Sequence, residues 1–249
     1  MRCTHPGRRL SATLIVFVLS FVPLVAPAAP LELAPKLAVV SFGLFGDQDV
    51  FRSEATGAAA VVANRFGAAA SMVRFNTRKT ADATVETLAG ALQAAAAKIE
   101  AQRDVLFVIL TSHGSREGLV VTSGRPGILT PANLTRMLDR TGVQRKVVII
   151  SACYSGIFIP RLADANTLVI TAADANHPSF GCQDKAKWTY FGDAFFNQAL
   201  RRTNTLRNAF AQASSLILKR ELQSGFEPSH PQIAGGENVE PLLVARRQP

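Results

Sequence analysis

The sequence predicts an α/β protein in which a mostly parallel β-sheet is covered by helices on both faces. Two continuous runs of apolar and β-branched residues, over 105–111 and 146–152, are typical of strands buried on both faces. Predicted strands and helices also alternate along the chain, as in parallel sheets. Each of the two runs leads into a reactive side chain, His113 or Cys153. Open α/β sheets bind their ligands at this end of their strands.

The first part of the chain has two further strand patterns and two helix patterns. A polar turn at 46–49 closes the first strand, and alanine and leucine recur at helical spacing before the run at 105–111. The predicted elements are a strand over 36–43, a helix over 54–66, a strand over 71–75 and a helix over 84–103.

The second part continues the alternation. A glycine-rich stretch at 118–127 predicts a small hairpin and loop, and Thr130 followed by Pro131 is typical of a helix N-terminus. The polar segment 173–189 is long for a connection inside a domain, and such loops often build sites. The remaining predicted elements are a helix from 130 to 140, a short helix after Cys153, a strand over 167–172, helices over 190–201 and 206–223, and an edge strand at 231–233.

The N-terminus has the pattern of a secretory signal peptide. Arginines precede an apolar run over 12–26, and Ala26-Pro27-Ala28 resembles a cleavage site. A spanning helix needs about 20 apolar residues, and this run is shorter and contains Pro23. We therefore predict a signal peptide over 1–28, a domain over 29–240, a tail over 241–249, and a periplasmic or secreted protein without a stable membrane span. A retained signal would make the protein membrane-anchored.

Charge and metal-ligand spacing exclude several classes of function. The chain carries a formal charge of +9, and removal of Arg2, Arg8 and Arg9 leaves +6 (9 − 3 = 6). The remaining basic residues are scattered, which is typical of a solvated surface and not of a nucleic-acid site. His177 and Cys182 have no partners at zinc-ligand spacing. No metal, organic cofactor or nucleic acid is expected.

Two cysteines remain after the predicted cleavage, Cys153 and Cys182. In an oxidising compartment they could form a disulfide. However, Cys153 follows a buried strand and precedes a helix start, where peptide N–H groups favour a thiolate. We favour a functional thiol at Cys153. Cys182 is interpreted first as a residue that fills space in the core. A position at the rim of the pocket and a role as redox partner of Cys153 are the alternatives.

A thiol and an imidazole at one edge of the sheet form the minimal apparatus of a cysteine hydrolase. His113 and Cys153 are 40 residues apart, which is one strand–helix–strand unit, and a right-handed crossover places such strands side by side or nearly so. Cys153 would supply the nucleophile and His113 the proton for the leaving amine. Gly114 has no side chain, so its N–H can approach a carbonyl oxygen and form an oxyanion hole with the N–H of Cys153.

Three motifs resemble peptidase family C13, the legumain family, especially its bacterial branch within the caspase-like clan. They are Thr-Ser-His-Gly after the first run, Ser-Ala-Cys-Tyr-Ser-Gly after the second, and the stretch from Ser179-Phe180-Gly181-Cys182 to Thr189-Tyr190-Phe191-Gly192-Asp193. The resemblance covers about 36–234. It implies a caspase-like three-layer α/β/α sandwich and a peptide or protein substrate.

The resemblance also implies roles for individual residues. Cys153 would be the nucleophile, His113 its general acid/base partner and Gly114 an oxyanion donor. In legumain-like members an arginine, an acid two residues before the cysteine and a later aspartate line the substrate pocket; Arg52, Ser151 and Asp193 stand at these positions.

One catalytic position departs from the family pattern. The family's asparagine that orients the histidine lies two residues before the pocket arginine, and here that position is Val50. Asp49 or a backbone carbonyl could replace it.

The sequence leaves several functions open. A cysteine endopeptidase acting through a Cys153 thioester is favoured. A transamidase or ligase would use the same thioester, with an amine in place of water. A catalytically silent peptide-binding scaffold and an enzyme switched by a Cys153–Cys182 bridge are further alternatives.

Overall fold

A six-stranded sheet runs through the domain, in the order β2-β1-β3-β6-β7-β8. All neighbouring strands are parallel except β7 and β8, which are antiparallel. A separate antiparallel hairpin is formed by β4 and β5. The strands are β1 (Leu37–Gly43), β2 (Ala68–Phe75), β3 (Val105–Thr111), β4 (Leu119–Ser123), β5 (Arg125–Leu129), β6 (Arg145–Ser151), β7 (Thr167–Thr171) and β8 (Gln232–Ala234).

The computed structural model describes residues 1–3, 34–123, 125–243 and 245. Most of the predicted signal peptide therefore lies outside the described residues, and the account below concerns the unit that begins at Ala34. No helix within the described ranges is long and apolar enough to cross a membrane.

Helices lie on both sides of the sheet. Three short segments, α5, a π-helical stretch and α6, follow one another without a break. The helices are α1 (Asp49–Phe66), α2 (Val85–Ala96), α3 (Pro131–Arg140), a 3₁₀ turn (Ser155–Phe158), α4 (Ile159–Leu162), α5 (Tyr190–Gly192), the π-helical stretch (Asp193–Ala199), α6 (Leu200–Arg202), α7 (Leu206–Gln223) and a 3₁₀ turn (Glu240–Leu242).

Alternation along the central strands produces two apolar cores. On β3, Phe107 and Ile109 pack in the core that includes α1 and α7, whereas Val108 and Leu110 pack in the core that includes α2 and α3. All seven residues of β3 are buried, as expected for a strand covered on both faces. The predicted three-layer α/β/α fold with a mostly parallel sheet is confirmed.

Two helix boundaries differ from the sequence prediction. Helix α2 ends at Ala96 instead of 103, because the chain then tightens into i→i+3 bonds such as Ile99 N–H to the Ala96 carbonyl. The Asp104 carboxylate accepts the N–H of Glu100 and fixes this turn. Helix α1 begins at Asp49 instead of 54, so the predicted turn at 46–49 runs directly into it. The earlier start gives α1 a first turn that reaches the end of β3.

Candidate active site

The reactive side chains of the sequence follow two neighbouring strands. In the parallel pairing of β3 and β6, Thr111 is opposite Ser151. His113 and Cys153 each lie two residues beyond this pair. At Gly114 the backbones approach so closely that a side-chain carbon would collide with the carbonyl oxygen of Cys153. The predicted meeting of the two strand ends is present, and it requires glycine at 114.

The His113 ring is held by α1 and the turn before it. Its Nε2 is 2.6 Å from Oε1 of Gln48. Two aromatic rings meet it edge to face, with centroid distances of 4.6 Å for Phe45 and 5.0 Å for Phe51. Burial in this apolar setting lowers the pKa of His113, because the charged imidazolium loses hydration. The ring therefore favours its neutral form at neutral pH.

Gln48 determines which tautomer the neutral ring adopts. Its Nε2 donates to the carbonyl of Cys182 at 2.7 Å, so its Oε1 faces His113. A carbonyl oxygen can only accept, and the hydrogen must therefore lie on Nε2 of His113. The other ring nitrogen, Nδ1, is left as an acceptor and hydrogen bonds with none of the described residues. It is the atom free to take or return a proton.

Sequence reasoning considered Asp49 or a backbone carbonyl for the group that orients the histidine, and the structure places Gln48 there. Asp49 instead pairs with Arg52 at 3.2 Å. The hydrogen bond between Gln48 and His113 joins residues 65 positions apart, and Gln48 lies in a turn without a recognisable motif. Only the polar turn itself could have drawn attention to Gln48.

Cys153 faces the long loop after β7. Its Sγ accepts the N–H of Ser179 at 3.3 Å and is 3.3 Å from the Ser179 carbonyl oxygen, to which a thiol can donate. The next residue, Tyr154, has a left-handed backbone (φ 55°), and its N–H donates to the His177 carbonyl at 3.0 Å. The loop thus fixes the turn that presents the sulfur.

Two backbone N–H groups at the ends of β3 and β6 have no acceptor among the described residues. The N–H groups of Gly114 and Cys153 donate to no other group of the described residues, and both residues lie outside regular helices and strands. The backbones of the two residues are in close contact, at Gly114 and the Cys153 carbonyl. Such a pair suits the oxygen of a tetrahedral intermediate, whose negative charge it would stabilise.

The loop carries a second histidine that the site does not use. His177 Nδ1 is 2.8 Å from the Asp174 carboxylate, and its ring meets His230 at a centroid distance of 4.9 Å. Burial acts to raise the pKa of Asp174, but hydrogen bonds from Asn176 and His177 lower it below its ordinary value. The hydrogen bonds of Asp174 with Asn176 and His177 stabilise the loop that contacts Cys153. No cluster suited to a metal ion occurs among the described residues.

The three predicted pocket residues have different contacts. Arg52 is partly exposed on α1, in a groove of about 540 Å³ that Trp188 also lines. Ser151 is buried, with its hydroxyl 3.2 Å from that of Thr189. Asp193 accepts hydrogen bonds from two side chains of its own helix. Their substrate-binding role stays a prediction.

An acid that sequence reasoning missed lies beneath the site. Glu54 of α1 is fully buried and hydrogen bonds with Thr111, Ser151 and Thr189. The sequence contained one signal: Glu54 lies four residues after Val50 and four before Ala58, on the apolar face of α1. Where the resemblance expects an acid at position 151, a carboxylate from another element meets the serine.

Cys182 is a free thiol, as is Cys153. Burial, followed by the neighbouring Cys153 and Glu54 charges, raises the pKa of Cys182 to about 11. Its backbone carbonyl, by contrast, takes part in the site through Gln48. A thiol with a raised pKa is a poor nucleophile at neutral pH, which argues against a reactive role for Cys182.

A thiol, a histidine of fixed tautomer and two N–H groups without an acceptor among the described residues are the groups that an enzyme of the cysteine-hydrolase class uses. The comparisons with known proteins agree with this class. The sequence matches the peptidase C13 family over residues 68–237, more than half of the chain. The protein therefore belongs to the peptidase C13 family, as the sequence motifs indicated. The match begins at β2, so Gln48 and Glu54 lie outside it.

The fold has a counterpart among solved structures. The crystal structure of caspase-1 from Spodoptera frugiperda superposes with a TM-score of 0.54 at 14% identity, covering 81% of this chain and 87% of that one. At this identity the likeness concerns the fold alone, and it confirms the caspase-like architecture. The sequence has no significant match among curated proteins.

Proposed function

We propose that the protein is a cysteine-type endopeptidase that cleaves peptide bonds through an acyl-enzyme on Cys153. The observation that carries the proposal is that His113 and Cys153 follow paired positions of neighbouring strands, while Nε2–H of His113 is bound to Gln48 and Nδ1 has no partner among the described residues. A histidine held in this way can exchange a proton through Nδ1. Membership of the peptidase C13 family supports a peptide or protein substrate.

The proposed reaction begins at Cys153. Nδ1 of neutral His113 takes the proton of the Cys153 thiol, and the resulting thiolate attacks the substrate carbonyl. A carbon–sulfur bond forms, and the N–H groups of Gly114 and Cys153 receive the oxyanion. The carbon–nitrogen bond then breaks while His113 delivers a proton to the leaving amine. In the second half, His113 takes a proton from water, the resulting hydroxide attacks the thioester, and the thiol is regenerated with release of the acid.

The test is cleavage of a mixture of unstructured peptides, with products identified by mass. We expect new C-termini and new N-termini in equal amounts, and no cleavage by Cys153→Ala with an unchanged circular dichroism spectrum. Adding an amine nucleophile separates hydrolysis from transfer: products that carry the amine would identify a transamidase or ligase. Tight peptide binding without any product would identify a silent scaffold.

We also propose that the protein is exported to the periplasm or secreted. The arginines, apolar run and small-residue site within 1–28 support the proposal. N-terminal sequencing of the protein recovered from cell fractions tests it. An N-terminus at residue 29 outside the cytoplasm is expected, whereas a full-length cytoplasmic chain would contradict export.

A further inference from the structure

Glu54 connects the two strand ends that carry the reactive side chains. Its Oε1 accepts the hydroxyl of Thr111 at 2.9 Å, and its carboxylate also hydrogen bonds with the side chain of Ser151. These two residues are register partners in β3 and β6, and each precedes a reactive residue by two positions. One carboxylate therefore spans the last paired position of both strands.

The same carboxylate also fixes the far side of the site. Its Oε2 accepts the N–H of Thr189 at 2.8 Å, at the residue that caps α5. The hydroxyl of Thr189 in turn lies 3.2 Å from that of Ser151. The loop that contacts Cys153 through Ser179 ends at this point. Glu54 thus joins α1, both strands and the end of the loop.

Neither solvent nor a substrate can reach this group. Glu54 is 0% exposed, and a side-chain carbon at Gly192 would collide with its carboxylate. Burial raises the pKa of Glu54, although its hydrogen bonds act in the opposite direction. A polar group buried at such a position destabilises the folded state unless its hydrogen bonds compensate for the lost hydration. Its contacts define a structural connection and not a chemical step.

We propose that Glu54 is a positioning residue, which sets the separation and orientation of His113 and Cys153 by joining Thr111, Ser151 and Thr189. The inference rests on the proposed function, because it assigns a purpose to the juxtaposition of the two reactive side chains. It adds an element, α1, that lies outside the part of the chain matched to the family.

The test compares Glu54→Ala and Glu54→Gln with a matched control, Asp104→Asn. Asp104 is also a fully buried carboxylate with backbone donors, from Lys36 and Glu100, but it lies at the opposite end of β3. The readout is the rate of iodoacetamide alkylation of Cys153 as a function of pH, assigned by peptide mapping. Thermal unfolding is followed in parallel. Alkylation does not require peptide turnover.

We expect Glu54→Ala to shift the Cys153 alkylation profile towards that of His113→Ala. Glu54→Gln should restore most of the wild-type profile, because an amide oxygen can still accept from Thr189. A displacement of about 1 Å in a reacting group can cost on the order of 10²-fold in turnover, and a loss of this size is expected for Glu54→Ala. Asp104→Asn should lower the unfolding temperature and leave the profile unchanged.

Two results would overturn the inference alone: a folded Glu54→Ala with the wild-type profile, or the same change of profile in Asp104→Asn. If Glu54→Ala does not fold, Thr111→Val removes one of the hydrogen bonds to Glu54 with little change of volume. A wild-type alkylation profile in Thr111→Val would then also overturn the inference. A wild-type profile that is independent of His113 would overturn the proposed function together with the inference. His113-dependent alkylation without peptide cleavage would overturn only the proposed function.

Discussion

Replacing Gln48 by leucine removes the group that orients His113 while nearly preserving side-chain volume. The change deprives His113 Nε2–H of its acceptor and the Cys182 carbonyl of its donor. Leaving a buried polar group without its partner costs about 1–3 kcal/mol. The structure therefore predicts that the correct ring orientation loses free energy in this range.

The corresponding effect on rate can be bounded. Since about 1.4 kcal/mol is a factor of ten in rate, the loss in kcat/KM should lie between about 5-fold and about 150-fold. The edge-to-face contacts with Phe45 and Phe51 survive the substitution, and such contacts contribute about 0.5–1.5 kcal/mol each. They restrict rotation of the ring, so we expect the lower part of the range, about tenfold.

Gln48→Glu is the matched control, because it keeps an acceptor for Nε2–H but loses the donor to Cys182. Its negative charge favours the imidazolium and should move the acid limb of the pH profile upward. The assay is kcat/KM for a cleaved peptide against pH, with unfolding temperatures measured alongside. A folded Gln48→Leu within twofold of wild type at every pH would refute the reasoning.

Three further predictions concern individual groups of the site. Because burial lowers the pKa of His113, its protonation should set an acid limb of kcat/KM below pH 6.5, and an acid limb above pH 6.5 would contradict this. The free energy of unfolding should also fall as the pH drops through and below 6.5, because the unfolded chain binds the proton more readily there. Gly114→Ala forces a collision with the Cys153 carbonyl and should reduce kcat by about 10²-fold or more, the loss typical of one oxyanion donor; unchanged kcat would remove Gly114 from the site. With a pKa of about 11, Cys182 should resist iodoacetamide at pH 7, and Cys182→Ser should keep activity, with peptide mapping and reductant titration as the measurements; its preferential labelling would disprove this.

The sheet and the positions of the two reactive residues could be predicted from the sequence because buried parallel strands have a local signature. Each of β3 and β6 is a continuous apolar run, and the crossover rule makes them neighbours. His113 and Cys153 then follow from where the runs end. Gly114 follows from the same position, because a residue without a side chain permits a close backbone approach, and the structure places it against Cys153.

The contributions of α1 could not be predicted in the same way. Gln48 and Glu54 act through contacts with residues far away in the chain, His113 and Thr189, and no spacing rule connects them. The start of α1 was also predicted five residues too late, which left Gln48 in an isolated turn. Tertiary contacts select these residues, so sequence patterns that report local periodicity do not reveal them.

The pocket assignments depended on position relative to family motifs. Ser151 was compared with an acid of the family, and the carboxylate that meets it comes from Glu54. Arg52 lies on the partly exposed side of α1 beside Asp49. A position-by-position comparison with the family motifs cannot show that a carboxylate of α1 meets Ser151 at the end of β6.

The most direct test of the central claim is intact-mass analysis after exposure to a thiol-directed peptidyl ketone, followed by peptide mapping. We expect one adduct per chain, on Cys153, with Cys182 unmodified. The adduct on Cys153 should be absent in His113→Ala. The ketone reports the nucleophile whether the natural reaction ends in hydrolysis or in transfer to an amine. No adduct on folded wild-type protein, or an adduct on Cys182 alone, would contradict the assignment of Cys153 as the nucleophile.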